Sequence, residues 1–429
     1  MKIYKNPDRN LWADILKRPA IDTTTLFGTV GQILKNVKDN GDNAVREYAL
    51  KFDKSDTKKL LVSKKEFQIA EKELDADLKT AILTAKSNIE RFHKAQKSSI
   101  KVVKTMTGID CWRKSVGIER VGLYIPGGTA PLFSTVLMLG VPAKIAGCKE
   151  VVLCTPSQHN EPIHPAILFA AKAVGIKKVY KIGGVQAIAA MAYGTETVPQ
   201  VWKIFGPGNQ YVTAAKQLIN TEGCAIDMPA GPSEVMVIAD KTARPKFVAA
   251  DLLSQAEHGV DSQVVLVAFD EIFVQNVLQE IENQLLNLSR ADLAKAALDN
   301  SVAVIVNNDA EALAVANYYA AEHLIISTEN ADDLAQQVVN AGSVFIGHFS
   351  PESVGDYASG TNHVLPTNGF AHAYSGVSLD SFVKKITFQR LNTEGVKNIG
   401  ATVIAMAEAE QLTAHANAVR VRLEEIEGM

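Results

Sequence analysis

Cysteine is scarce in this 429-residue chain, which carries only Cys111, Cys148, Cys154 and Cys224. None stands in a C-x-x-C pair, and the number is far below that of a disulfide scaffold. Both facts point to a reducing compartment, and to buried apolar thiols in preference to nucleophiles. An excess of one charge is also lacking. With 44 basic against 47 acidic residues and a formal net charge of −3, nothing is left over to grip a phosphate backbone, which argues against nucleic acid as a partner. Hydrophobic residues make up 47%, yet every apolar run breaks well short of the roughly 20 residues that span a bilayer. The opening stretch Met1-Lys2-Ile3-Tyr4-Lys5-Asn6-Pro7-Asp8 has neither the apolar core nor the cleavage site of a secretory signal. The expectation is a cytoplasmic globular protein with no membrane partner. Two signatures are missing as well, the G-x-G-x-x-G dinucleotide fingerprint and the compact H-E-x-x-H zinc motif.

What is present is a repeated alternation. The first hundred residues have helical patterning, with a turn at Asp39-Asn40-Gly41-Asp42 and a capping box formed by Ser63 and Glu66. Two β-rich runs follow, Val102–Met106 and Arg120–Ile125, with a boundary near 115–120. From there short apolar strands, Gly-containing turns and helices succeed one another through Pro126-Gly127-Gly128, Gly183-Gly184 and Gly206-Pro207-Gly208. A second such series starts at Val235 and runs to Ile346. This predicts an α/β fold of two tandem, incomplete Rossmann-like parallel-sheet lobes with small helical appendages at both ends. In such sheets ligands bind at the carboxyl ends of strands, and backbone amides at those turns can cradle a pyrophosphate. The same glycines also serve as ordinary tight turns. A final helical segment, about 399–425, carries Glu410 and His415 and is too short to bury much core alone.

The chemistry-bearing residues crowd the second half. Six of the nine histidines, His258, His323, His348, His363, His372 and His415, fall in the last 172 residues. Asp251-Leu252-Leu253-Ser254-Gln255-Ala256-Glu257-His258-Gly259 reads as a helix end stopped by Gly259, with Gln255 and His258 three apart on one face. That spacing suits a shared metal or substrate, and it equally suits a histidine capping a helix C-terminus. Mixed N/O donors such as His258, His415, Gln255 and one carboxylate fit Zn²⁺, Mn²⁺ or Co²⁺, and spacing alone does not choose among them. Adjacent Glu322-His323 offers two titratable groups for proton transfer, or else an idle strand end. On the residues alone a zinc hydrolase remains a competing reading, because a Glu beside a His near a metal can activate water.

Seven blocks stand in order along the chain: Tyr124-Ile125-Pro126-Gly127-Gly128, Gly183-Gly184-Val185-Gln186-Ala187, Gly206-Pro207-Gly208-Asn209, Ala230-Gly231-Pro232-Ser233-Glu234, the 251–258 run, Ala321-Glu322-His323-Leu324 and Leu412-Thr413-Ala414-His415. Taken together they resemble the histidinol dehydrogenase family. The resemblance extends from near residue 25 to the C-terminus. It implies oxidation of L-histidinol to L-histidine through L-histidinaldehyde, with two NAD⁺ consumed and one Zn²⁺ held per subunit. By the same resemblance zinc falls to Gln255, His258, Asp356 and His415, and NAD⁺ contacts to Tyr124, Gln186 and Asn209. Substrate contacts fall to Ser233, His323, His363 and Glu410 beside the zinc site, and Glu322 and His323 become the acid/base pair. It further implies a homodimer whose tails complete the partner's site. The expected division is an arm over 1–24, a zinc and substrate lobe over 25–117 and 234–375, an NAD lobe over 118–233 and a dimerisation tail over 376–429.

Overall fold

The structure, a computed structural model, describes residues 1–19, 23–127, 130–229 and 231–429. Residues 20–22 of the expected arm, Gly128 of the first block and Ala230 of the fourth lie outside the described residues. Two all-parallel sheets form the frame. The first has five strands, ordered Lys178–Lys181, Glu150–Thr155, Arg120–Tyr124, Lys203–Phe205, Ala225–Ile226. The second has six, ordered Lys2–Lys5, Val302–Ile305, Gln263–Ala268, Glu234–Ala239, His323–Ser327, Ser343–Ile346. Counted along the chain from Arg120 and from Glu234, both sheets wind third, second, first, fourth, fifth. That is the doubly wound order lacking its sixth strand. The N-terminal strand is a graft onto the outer edge of the second sheet.

Strands covered on both faces by helices need apolar residues at every position, not at alternate ones. Glu234–Ala239 and Gln263–Ala268 meet that need, with all six residues of each buried. The helical run Phe27–Asp53 breaks at Gly41 (φ 54°), inside the expected turn. Its apolar stripe Val30, Leu34, Val37 and Val45 is buried with Tyr180, Ile188, Met191 and Val212 of the first lobe. Helices Lys64–Glu73, opened by the Ser63/Glu66 capping box, and Ala76–Ala95 pack into the other core of that lobe. So the packing ties 27–95 to the first sheet, whereas the sequence-based division groups these residues with the second. Their patterning specifies an amphipathic face but carries no information about which sheet covers it.

A third, antiparallel sheet joins Val103–Met106, Ile109–Gly117 and Val383–Leu391, the last two paired residue by residue from Val383↔Gly117 to Leu391↔Ile109. The tail therefore includes a nine-residue strand as well as helix. Beyond it, helices Thr393–Ala409 and Thr413–Glu427 pack on each other, separated at Gln411 (φ 61°). Among the described residues no helix is long and apolar enough to cross a membrane.

Candidate active site

The carboxyl ends of the first sheet and the amino ends of the second meet across a cleft of about 340 Å³. Gly206-Pro207-Gly208-Asn209, directly after strand Lys203–Phe205, lines one side. Ser233, Ser262 and Glu322, each directly before a strand of the second sheet, line the other together with His258 and His363.

On the first side, Gly206 (φ 127°) lies so close to the Tyr124 carbonyl that a Cβ would stand 2.1 Å from the oxygen. Its N–H donates to Asp227 Oδ2 (2.8 Å), and Lys216 Nζ donates to the Gly206 carbonyl (2.9 Å) and pairs with Asp227 Oδ1 (2.5 Å). This buried ion pair pins the turn. Asn209 caps helix Gln210–Thr221, its Oδ1 accepting from the N–H groups of Tyr211 and Val212. Tyr124 and Gln186 come together at the neighbouring turn, where the Gly184 N–H donates to the Tyr124 hydroxyl (3.0 Å). Gln186 is fully buried; its Nε2 donates to Asp53 Oδ2 (3.2 Å) and its Oε1 has no partner.

On the second side, helix Pro245–Ala256 brings Gln255 into the interior and ends one residue later. His258 lies past the helix in a turn that continues its curl, with its N–H donating to the Gln255 carbonyl (3.2 Å). The i,i+3 proximity read from the sequence thus survives the end of the helix. The short helix Glu352–Tyr357 supplies Asp356. Gly355 lets that helix approach Phe345, whose ring a Cβ would meet at 2.6 Å. Strand His323–Ser327 starts at His323, next to Val235 of the adjoining strand, so Ser233, Glu322 and His323 share one edge.

His323 sits between carboxylates: its Nε2 is 3.2 Å from Asp356 Oδ1, and its Nδ1, without a hydrogen-bond partner, is 3.7 Å from Glu322 Oε2. Glu322 Oε2 accepts the backbone N–H of Glu234 (3.0 Å). Burial pushes the Glu322 carboxyl up to about 8, against the pull of His323. For His323, burial works to lower the pKa, and the flanking Glu322, Asp356 and Glu352 carboxylates outweigh it, raising the ring to about 10. Burial would raise Asp356, but the His323 hydrogen bond and the neighbouring imidazoles hold it below the usual carboxylate range. Burial keeps His258 and His363 below ordinary histidine, in the neutral form that ligates metal. His363 donates Nδ1–H to the Asp356 carbonyl (2.7 Å), leaving Nε2 to accept from the Thr135 hydroxyl (3.0 Å) of the first lobe.

Zinc fits the donors on one observation in particular. Both amide atoms of Gln255 are buried and unpaired, an arrangement that costs free energy unless a partner from outside the chain satisfies it. Neutral His258 and ionised Asp356 accompany it. Yet among the described residues no three His, Cys, Asp or Glu side chains assemble into a metal-holding group. The remaining expected donor, His415, lies exposed with Glu410 on the tail, and neither side chain makes a hydrogen bond or ion pair among the described residues. Four supporting groups escaped the sequence reading: Asp53, Thr135, Glu352 and the Lys216/Asp227 pair. Asp53 and Thr135 reach the site from distant segments, Glu352 shares a helix with Asp356, Lys216 lies on the helix that Asn209 caps, and none of them carries a local motif.

The family model described as histidinol dehydrogenase matches residues 16–423. The histidinol dehydrogenase of Bacteroides fragilis is 61% identical over 426 residues, which is 99% of this chain and 100% of the relative. The chloroplastic histidinol dehydrogenase of Arabidopsis thaliana is 53% identical, covering 96% of this chain and 89% of its own. The crystal structure of histidinol dehydrogenase from Elizabethkingia anophelis superposes with a TM-score of 0.96 at 52% identity, over 100% of this chain and 99% of that one. The chain belongs to the histidinol dehydrogenase family, oxidoreductases of histidine biosynthesis.

Proposed function

We infer that this protein oxidises L-histidinol to L-histidine through L-histidinaldehyde, using two NAD⁺ in succession and one zinc ion per subunit. The observation that carries the reading is the pairing, behind one cleft lined by His258 and Glu322, of the unsatisfied Gln255 amide with the carboxylate-flanked His323. Gln255, His258 and Asp356 hold the metal, with His415 as the fourth donor. Tyr124, Gln186 and Asn209 contact the dinucleotide from the first lobe, while Ser233, His323, His363 and Glu410 contact the substrate. When bound, zinc would supply a Lewis acid to hold the substrate, and NAD⁺ would supply the hydride acceptor.

The flanking carboxylates raise the His323 ring to about 10 and so hold it protonated at neutral pH. His323 must release that proton before it takes up the hydroxyl proton as the alcohol carbon loses hydride. The carboxylates at its two nitrogens, Glu322 at Nδ1 and Asp356 at Nε2, stabilise the resulting imidazolium. The aldehyde must add water before it can lose a second hydride, and Glu322, raised to about 8 by burial and so ionised at mildly alkaline pH, takes the water's proton. The narrow interlobe cleft retains the aldehyde between the two oxidations.

The tail favours a homodimer with shared sites. Its paired helices and its strand leave Phe388, Met406, Leu412 and Val421 exposed, together with Glu410 and His415. The compartment proposed is the cytoplasm. The direct test supplies the zinc-loaded protein with L-histidinol and NAD⁺, follows NADH absorbance and counts product. Two NADH per L-histidine formed is expected. Absence of NADH would sink the reading and return the cleft to metal-assisted hydrolysis.

A further inference from the structure

Asp53 ends the helical run Phe27–Asp53 half-buried, and through Gln186 Nε2 its carboxylate is tied to the turn where Tyr124 and Gln186 meet. A Cβ on Gly183 would come within 3.1 Å of Asp53 Oδ1, so the carboxylate lies against the carboxyl end of strand Lys178–Lys181. Next to that strand, Glu150–Thr155 runs on into Pro156, which fills the space where Cβ atoms of Gly127 and Gly183 would fall, at 2.2 and 2.6 Å. In sheets of this winding order the adenosine half of a dinucleotide lies over the first three strands, and an acidic residue after the second takes the ribose hydroxyls. Here the second strand is followed by Pro156-Ser157-Gln158, with no carboxylate. Asp53 brings one to the same edge from another part of the chain. Gly206–Asn209, after the fourth strand, faces the cleft that holds Glu322 and His258. A dinucleotide laid along the carboxyl edge therefore reaches the cleft at its nicotinamide end and Asp53 at its adenosine end.

We propose that Asp53 is the residue that selects NAD⁺ over NADP⁺, its carboxylate accepting from the adenosine ribose hydroxyls and repelling a 2′-phosphate. This rests on the reading above that the first lobe binds NAD⁺. The surroundings reinforce the selection. Beyond Ser157 a cavity of about 420 Å³ is lined by Asp56, Glu73 and Glu161, and Lys181, which also lines it, is already paired with Glu66 at 2.5 Å. A phosphate added there meets carboxylates and no uncommitted cation among those lining residues. Burial raises the Asp53 carboxyl to about 6, which leaves it ionised at mildly alkaline pH.

The test measures NADH and NADPH binding by fluorescence titration on the full-length protein. The wild type should favour NADH by about tenfold or more, since the 2′-phosphate of NADPH would be brought against a like charge. Asp53→Asn and Asp53→Ser should shrink that ratio by about tenfold, Asp53→Glu should keep it, and Gln186→Ala should weaken both ligands equally. An unchanged ratio in a folded Asp53→Asn or Asp53→Ser protein overturns the proposal, as does equal loss of both ligands, which would mark Asp53 as only a positioner of Gln186. A protein that binds NADH selectively but does not oxidise L-histidinol refutes the proposed reaction and leaves this assignment standing. A wild type that binds neither dinucleotide overturns it.

Discussion

His323 Nε2 stands 3.2 Å from Asp356 Oδ1, so the side chain assigned to proton transfer touches one assigned to the metal. Their duties separate by variant. His323→Asn should lower turnover by about 10²–10⁴ while zinc content holds, whereas Asp356→Asn should lose zinc and turnover together. Metal analysis beside kcat tells them apart, and zinc loss in His323→Asn would merge the two roles.

Glu322→Gln keeps the shape of the side chain and its acceptor for the Glu234 N–H, but removes the base. Aldehyde oxidation, which needs water activated, should slow far more than alcohol oxidation. Stopped-flow NADH traces started from L-histidinol and from L-histidinaldehyde read the two halves separately. Equal slowing in both would refute this division of labour.

If His415 completes the site of another copy, His258→Asn and His415→Asn proteins should each be inactive alone yet recover on co-refolding. A mixed dimer concentrates both defects in one site and leaves the other intact. Random pairing then restores about a quarter of wild-type activity. No recovery would mean that each tail serves its own chain.

His93 is wholly buried, donates Nδ1–H to the Ile89 carbonyl (2.9 Å) and leaves Nε2 without a partner. Burial depresses its pKa below 6.5. The unfolded chain therefore takes up a proton that the folded chain refuses, so the stability linked to His93 is complete above pH 6.5 and falls away below it. Below pH 6.5, urea unfolding of the wild type should lose stability with falling pH more steeply than His93→Leu, by at most about 1.4 kcal/mol per pH unit. Parallel pH profiles would remove His93 as the cause.

The two-lobed α/β plan was legible because fully buried parallel strands must be continuously apolar, as Gln263–Ala268 is, and because turn glycines mark their ends. Gln255, His258, Glu322 and His323 were legible as blocks of neighbouring residues. Asp53 was not, since it lies in the charged stretch Lys51–Lys59 and gains meaning only where the chain folds back on Gln186. Val383–Leu391 was missed because a strand largely exposed along its length lacks the apolar run that announces a buried one. The N-terminal helices were legible as helices, but an amphipathic stripe does not name the sheet it will cover, and the packing of Val30 and Leu34 beside Ile188 supplies that.

The ladder between Ile109–Gly117 and Val383–Leu391 also dictates an order of events. Its ion pair Arg390–Asp110 spans 280 positions, so nearly the whole second lobe must leave the ribosome before the closing strand can dock. Pairing of such remote segments is slow to nucleate and cannot begin during synthesis of the first lobe. Glu410 and His415 follow that strand. Both sheets can be fully formed while the tail is still unplaced, so catalytic competence should be the last property a newly made chain acquires.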